Sequence, residues 1–189
     1  MAATSRMLEL GTTAPPFALT EVTGDGTITL EDLNDAPVLL VAFICSHCPY
    51  VIHVQDGFAA LAREYGEKGV AVVGISANDP AISPSDTPEG LAEQKRTVGF
   101  DFPYLFDADQ SVAKAYGAVC TPDFFVFDAA RTLVYRGRMD DSRPTGDTPV
   151  TGADLRAALD AALDGEEPPT DQHPSMGCSI KWSPGNEPS

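Results

Sequence analysis

The stretch Val38-Leu-Leu-Val-Ala-Phe-Ile-Cys-Ser-His-Cys-Pro49 carries the clearest structural signal in this chain of 189 residues. It begins with an uninterrupted apolar run up to Ile44, which is typical of a central strand buried on both faces. After Pro49, apolar residues recur every three or four positions, which predicts an amphipathic helix with proline in its first turn. The members of this stripe are Val51, Val54, Phe58, Leu61 and Tyr65. The sequence therefore places Cys45 and Cys48 where a buried strand passes into a helix.

The position of these two cysteines predicts thiol chemistry. A helix N-terminus carries partial positive charge and unpaired N–H groups, so a thiolate there is stabilised and its pKa falls. We expect Cys45, the outer cysteine, to attack a disulfide, and Cys48 to resolve the mixed disulfide. His47 lies between them, and its imidazole would lower the pKa of the Cys45 thiol further.

Zinc binding is the main structural alternative for a C-x-x-C pair. Structural zinc sites with four cysteines usually supply a second close pair, whereas Cys120 and Cys178 stand alone in this sequence. The pattern therefore favours redox cysteines, and we expect no bound metal.

The composition excludes several other classes of function. The chain has 28 acidic and 12 basic residues and a formal net charge of −16, so its surface is expected to repel nucleic acid and anionic membranes. No stretch approaches the roughly 18 apolar residues that a membrane-spanning helix needs. The first ten residues contain Arg6 and Glu9 and no apolar core of a signal peptide, which predicts a cytoplasmic protein with reduced or cycling cysteines.

Strand and helix patterns alternate along the rest of the chain, which predicts an α/β fold with a mixed central sheet flanked by helices. A hairpin is expected around Gly24-Asp25-Gly26, and a helical turn at 31–33. Further strands are expected at 70–75, 102–106, 124–127 and 133–136, and helices at 88–98, at 110–116 with Asp109 as cap, and after a capping box at 151–154. One domain, 1–165, is followed by a tail, 166–189, that is rich in proline and contains Cys178 and Trp182.

These features resemble the thioredoxin superfamily, and in particular its AhpC/TSA and TlpA/ResA-like branch. The resemblance rests on Cys45-Ser-His-Cys48-Pro49 after a buried strand and on Thr121-Pro122 before another. It implies a thioredoxin-like fold in which Pro122 is cis and packs against a redox disulfide, with the Thr121 backbone shaping a groove for an extended substrate. The tail 175–182 is similar to that of a prokaryotic subgroup described only as thioredoxin-like.

The resemblance also implies an activity. The expected function is thiol–disulfide exchange, with protein or small-molecule disulfides as substrates, a dithiol as electron donor and no organic cofactor. Peroxiredoxins of this branch carry a Pro-x-x-x-Thr-x-x-Cys pattern; aligned on Cys48, the threonine is replaced by Cys45 and the proline by Val41. A peroxidase with antioxidant function is therefore the alternative. A copper-binding protein similar to the Sco family is a further one, although that family has three residues between its cysteines.

Other departures leave several residues with open roles. Thioredoxins carry a buried aspartate six residues before the first cysteine, where this chain has Leu39, and Asp123 is a substitute proton acceptor or a residue that binds the local backbone. Cys120 is either a core cysteine or a residue near the site. We expect the tail to fold back, held by Trp182, so that Cys178 approaches Cys120 or the C-x-x-C pair.

Overall fold

The computed structural model describes residues 2–24 and 26–188. The strands are β1 (Ala2–Thr4), β2 (Ala18–Glu21), β3 (Thr27–Thr29), β4 (Val38–Phe43), β5 (Val70–Ser76), β6 (Tyr104–Phe106), β7 (Cys120–Thr121), β8 (Asp123–Phe127), β9 (Leu133–Gly137) and β10 (Met176–Ser179). The helices are α1 (Pro49–Glu67), α2 (Pro88–Val98), α3 (Ser111–Ala115) and α4 (Ala153–Asp164). Short 3-10 turns occur at Glu31–Leu33 and Pro84–Asp86.

A seven-stranded mixed sheet forms the body of the molecule, in the order β3-β2-β6-β5-β4-β8-β9. Strand β4 pairs with β5 in parallel and with β8 in antiparallel orientation, and all six of its side chains are buried. A strand with neighbours on both edges and cover on both faces needs a continuous apolar run, which is the pattern the sequence shows. The predicted α/β fold with a mixed sheet is confirmed.

Helices cover both faces of this sheet. On one face the predicted stripe of α1 is buried together with Leu155 and Leu159 of α4 and the side chains of Leu40 and Val126 from the sheet. On the other face α3 packs over alternate residues of the same strands. Because each buried Leu, Val or Phe side chain contributes roughly 1.5–3 kcal/mol, these two layers hold the β4–α1 junction in a fixed position.

The turn of the first hairpin and the caps of α3 and α4 can be compared with the prediction. The hairpin of β2 and β3 is present, although Asp25 of its predicted turn lies outside the described residues. Helix α3 is capped chiefly by Asp107, whose carboxylate accepts from the amides of Val112 and Ala113, while Asp109 binds only Ser111. The capping box proposed for α4 is wrong, because the residue before the helix is Gly152 in a left-handed conformation, with φ 68°.

The C-terminal tail forms a second, smaller sheet with the N-terminus. Strand β10 lies between β1 and β7, antiparallel to both. Trp182 packs against the core on the α3 side of the large sheet. The tail therefore folds back onto the domain, as the sequence predicted, and it does so by strand pairing that the sequence did not predict. Among the described helices, none combines the length and the hydropathy of a membrane-crossing segment.

Candidate active site

The two cysteines of the C-x-x-C lie at the carboxyl end of β4, with Cys48 as the N-cap of α1 and Pro49 as its first residue. Both cysteines have 0% of their surface exposed. The helix begins one residue after Cys48, so the helix N-terminus faces Cys48 rather than Cys45. This junction follows directly from the apolar run of β4 and from the proline, which starts the helix.

Thr121 lies against both sulfur atoms. Its hydroxyl is 3.1 Å from Cys45 Sγ, and its carbonyl oxygen is 3.3 Å from Cys48 Sγ. The peptide bond between Thr121 and Pro122 is cis, as the resemblance implied. Thr121 is 76 residues from Cys45 and 73 from Cys48 in the sequence, and it contacts both because β8, which follows it, pairs with β4.

The two thiols have opposite pKa shifts. The Cys45 thiol, which donates toward Cys48, lowers the pKa of Cys48 to about 5. That same interaction, together with burial and the nearby Asp86 carboxylate, raises the pKa of Cys45 well above its usual value. The expectation that Cys45 has the lowered pKa is therefore wrong, because the helix start and the donated hydrogen bond both stabilise negative charge on Cys48. These shifts favour ionisation of Cys48 over Cys45, while the protonated Cys48 thiol can donate a hydrogen bond to the Thr121 carbonyl oxygen.

Asp86 organises the segment between the cysteines, and sequence reasoning missed it. Its buried carboxylate accepts from the backbone amide of Ser46 at 2.7 Å, from the Ser83 hydroxyl at 2.6 Å and from the Asn78 amide at 2.8 Å. It also binds His47 Nδ1 at 2.6 Å. His47 therefore contacts a carboxylate, and a ring nitrogen of His47 also lies within 4.8 Å of Cys45 Sγ, so its effect on the Cys45 pKa stays a prediction. No spacing pattern marks Asp86, which is the last residue of the 3-10 turn Pro84–Asp86.

Three side chains beside the cysteine pair are of types that can bind a metal ion. Donor atoms of Cys45, His47 and Asp86 lie within 4.8 Å of one another. The Asp86 oxygens are, however, already hydrogen-bonded to protein groups. His53 and His173 contact Ser142 and Asp171 respectively, so the described residues do not bring either histidine into this group as the copper alternative requires.

Asp123 has a structural partner. Its buried carboxylate is 3.5 Å from the fully buried Arg136, and burial raises the pKa of Asp123 to about 7. The nearby side chains of Ser175 and Ser5, at the point where the tail meets the N-terminus, partly offset this rise in the Asp123 pKa. The carboxylate that shifts the Cys45 pKa is Asp86. Asp123 thus forms a buried ion pair with Arg136 beside the tail, and its role as a substitute proton acceptor stays a prediction.

The remaining two cysteines differ in their surroundings. Cys178 of β10 lies directly opposite Thr121, is half-buried, and packs against the core cluster that contains Cys45 and Cys48. Burial raises the pKa of Cys178 to about 11. Cys120 is fully buried in β7, opposite Ser179, and burial raises the pKa of its thiol strongly. Of the two partners proposed for Cys178, the structure shows the C-x-x-C pair.

Comparison with known proteins agrees with this geometry. A model of the AhpC/TSA family matches residues 10–136, which include the cysteine pair, Pro122 and Arg136. The chain belongs to the AhpC/TSA family. It has the thioredoxin-like fold, and its relatives include proteins named as peroxiredoxins and as thiol-disulfide oxidoreductases.

Individual relatives extend the comparison. The chain is 50% identical to an uncharacterized conserved protein from Geobacillus kaustophilus, with a TM-score of 0.95 and 98% of each chain covered. It is 30% identical over 108 residues to a putative peroxiredoxin of Mycobacterium tuberculosis, and 29% identical over 107 residues to the thiol-disulfide oxidoreductase ResA of Halalkalibacterium halodurans. These matches cover 57% of this chain in both cases, and 63% and 56% of the respective relatives.

Proposed function

We propose that this AhpC/TSA family member is a thiol–disulfide oxidoreductase in which Cys45 and Cys48 alternate between dithiol and disulfide. The observation that carries the proposal is the position of Cys45 and Cys48 at the start of α1, with both sulfur atoms against Thr121, which precedes the cis proline. A stabilised thiolate with a second thiol in reach is the arrangement that disulfide exchange needs. Thr121 and Pro122 position the pair from the neighbouring strand.

The net reaction transfers two electrons to a disulfide. The Cys48 thiolate and the Cys45 thiol become the Cys45–Cys48 disulfide, and the substrate disulfide RSSR becomes one thiolate and one thiol, which takes the proton of Cys45. The order of attack is proposed from the directions of the pKa shifts: Cys48 ionises more readily than Cys45, so Cys48 attacks and Cys45 resolves. This is the reverse of the order expected from the sequence.

The substrate class is proposed from the chemistry and from the relatives. One curated relative is named a thiol-disulfide oxidoreductase, and disulfides of proteins or small molecules are the corresponding substrates. A dithiol protein or small thiol returns the pair to its reduced state. Because the Cys48 thiolate stabilises the reduced form, we expect an oxidising pair, whose disulfide is readily reduced.

A redox titration with single-cysteine variants tests this function. In a series of reduced and oxidised glutathione mixtures, the wild-type protein should form a Cys45–Cys48 disulfide with two-electron behaviour, measured by mass spectrometry after alkylation. Cys45→Ser should accumulate a disulfide at Cys48, whereas Cys48→Ser should leave Cys45 as a free thiol. Cys120→Ala serves as the control and should titrate like wild type. Failure of the wild-type pair to form a disulfide would contradict the function.

Peroxide reduction is the second candidate, because a Cys48 thiolate at a helix start is also suited to attack a peroxide. Attack on the O–O bond would leave a sulfenic acid on Cys48 and release an alcohol or water. The Cys45 thiol would then form the disulfide with loss of water. Consumption of hydrogen peroxide by the wild-type protein, coupled to dithiothreitol and lost in Cys48→Ser, would favour this function. A rate no higher than that of free cysteine would exclude it.

A further inference from the structure

Cys45 and Cys48 are both buried, so a substrate needs a route to their sulfur atoms. Neither Cys45 nor Cys48 has exposed surface, whereas Cys178 is half-buried. Disulfide exchange requires an attacking sulfur to approach another sulfur in line, so a bulky substrate cannot react directly with a sulfur that is fully covered. Cys178 is therefore the thiol in this cluster that solvent can reach.

The tail also occupies the groove that an extended substrate would use. Strand β10 pairs antiparallel with β7, and its Cys178 lies opposite Thr121, the residue before the cis proline. The two backbones approach so closely at Gly177 that an added Cβ would lie 1.9 Å from the Thr121 carbonyl oxygen. The tail cysteine thus takes the place of a substrate cysteine, with its thiol against Cys48.

We propose that Cys178 is a third redox thiol, which passes disulfides between solution and the buried Cys45–Cys48 pair through a transient Cys48–Cys178 disulfide. The proposal rests on the proposed function, because it assigns the route by which that pair exchanges electrons. It gives the tail strand a catalytic role in addition to its packing.

The relay balances in three exchange steps. Cys178 loses its proton and attacks an external disulfide RSSR as a thiolate, forming Cys178–S–S–R, and the first RS group that leaves takes up that proton. The Cys48 thiolate attacks the Cys178 sulfur, forming Cys48–S–S–Cys178 and releasing the second RS group as thiolate. The Cys45 thiol attacks the Cys48 sulfur, forming Cys45–S–S–Cys48, and its proton passes to Cys178. Two electrons have then left the pair, and Cys178 is restored.

The reverse direction is supported by the acidities of the thiols. In a Cys48–Cys178 disulfide, Cys48 is the better leaving group, because its pKa is about 5 while that of Cys178 is about 11. An external thiol will therefore attack the sulfur of Cys178, which is also the accessible one, and release Cys48 as a thiolate. The accessibility of Cys178 and the acidity of Cys48 as leaving group therefore both favour attack at the Cys178 sulfur.

Trapping of the intermediate is the first test. Cys45→Ser removes the last step, so this variant, incubated with oxidised glutathione, should accumulate the Cys48–Cys178 disulfide, seen as a cross-linked peptide after digestion without reductant. The double variant Cys45→Ser/Cys178→Ser should instead carry glutathione on Cys48 or remain reduced. If Cys45→Ser carries glutathione on Cys48 while Cys178 stays a free thiol, the relay is overturned.

Rates provide the second test. With oxidised glutathione as the probe, Cys178→Ser should form the Cys45–Cys48 disulfide at least tenfold more slowly than wild type, while Cys120→Ala should stay within twofold. Circular dichroism and thermal unfolding show whether Cys178→Ser has kept its fold. An unchanged rate in a folded Cys178→Ser would overturn the relay and leave the proposed function intact, whereas absence of the disulfide in wild type would overturn the proposed function itself.

Discussion

The charge state of Cys48 depends on a single donated hydrogen bond more than on any other contact. The Cys45 thiol is the largest cause of the lowered pKa of Cys48, ahead of the Cys178 thiol and the amide of Val51. The folded pKa of about 5 lies below that of an unfolded thiol, so the thiolate stabilises the reduced native state at neutral pH. This stabilisation is lost as the pH falls through about 5. The disulfide form has no such contribution.

Thiolate absorbance at 240 nm should reveal this dependence. In the reduced wild-type protein a step is expected near pH 5, assigned to Cys48. Cys45→Ala removes the donor and should move the step upward by at least one pH unit, whereas Cys45→Ser keeps a hydroxyl donor and should move it less. Cys120→Ala should leave the midpoint unchanged. A midpoint that is the same in Cys45→Ala and wild type would show that the Cys45 thiol does not set this pKa.

Strand β10 lies beside the cysteine pair and is expected to limit access to it. Strand β10 can approach Thr121 this closely because Gly177 has no side chain. A Cβ on Gly177 would overlap the carbonyl group of Thr121, which is backbone and cannot move aside easily. Gly177→Ala should therefore displace β10, at a cost of about 1–3 kcal/mol in the free energy of unfolding. Iodoacetamide should then modify Cys48 at least tenfold faster than in wild type, as measured by mass spectrometry.

Gly66→Ala is the matched control for this change. Gly66 lies in α1, where an added Cβ would meet nothing within 4 Å. This variant should be more stable than wild type by about 0.5–1 kcal/mol, with unchanged alkylation of Cys48. Equal alkylation of Cys48 in both glycine variants would argue that the tail does not restrict access.

The sequence predicted well those elements in which the spacing of apolar residues shows which faces are buried. Strand β4 is apolar throughout because both of its faces are covered, and α1 repeats every three or four residues because only one of its faces is. Strand β10 was not predicted, because Met-Gly-Cys-Ser has neither a continuous apolar run nor a regular spacing of apolar residues. Its partners β1 and β7 are also distant in sequence. Asp86 escaped for a similar reason: its role comes from five hydrogen bonds that form only after the loop is folded.

The whole molecule carries a large excess of negative charge, and this excess should set its response to salt. With 28 acidic and 12 basic residues, repulsion between carboxylates remains after every ion pair has formed. The Debye length falls from about 30 Å at 0.01 M salt to about 3 Å at 1 M, so salt should screen this repulsion. Exposed ion pairs such as Arg96–Glu93 would be weakened too, but each contributes only about 0–1 kcal/mol.

Thermal unfolding from 0.01 M to 1 M NaCl should therefore show a rising midpoint. The double variant Glu166→Gln/Glu167→Gln removes two exposed charges at the end of α4, and it should gain less from salt than wild type while being more stable at 0.01 M. Sucrose at matched osmolality controls for effects that do not depend on charge. A midpoint that stays constant or falls with NaCl would mean that the native ion pairs outweigh the net repulsion, in spite of the charge of −16.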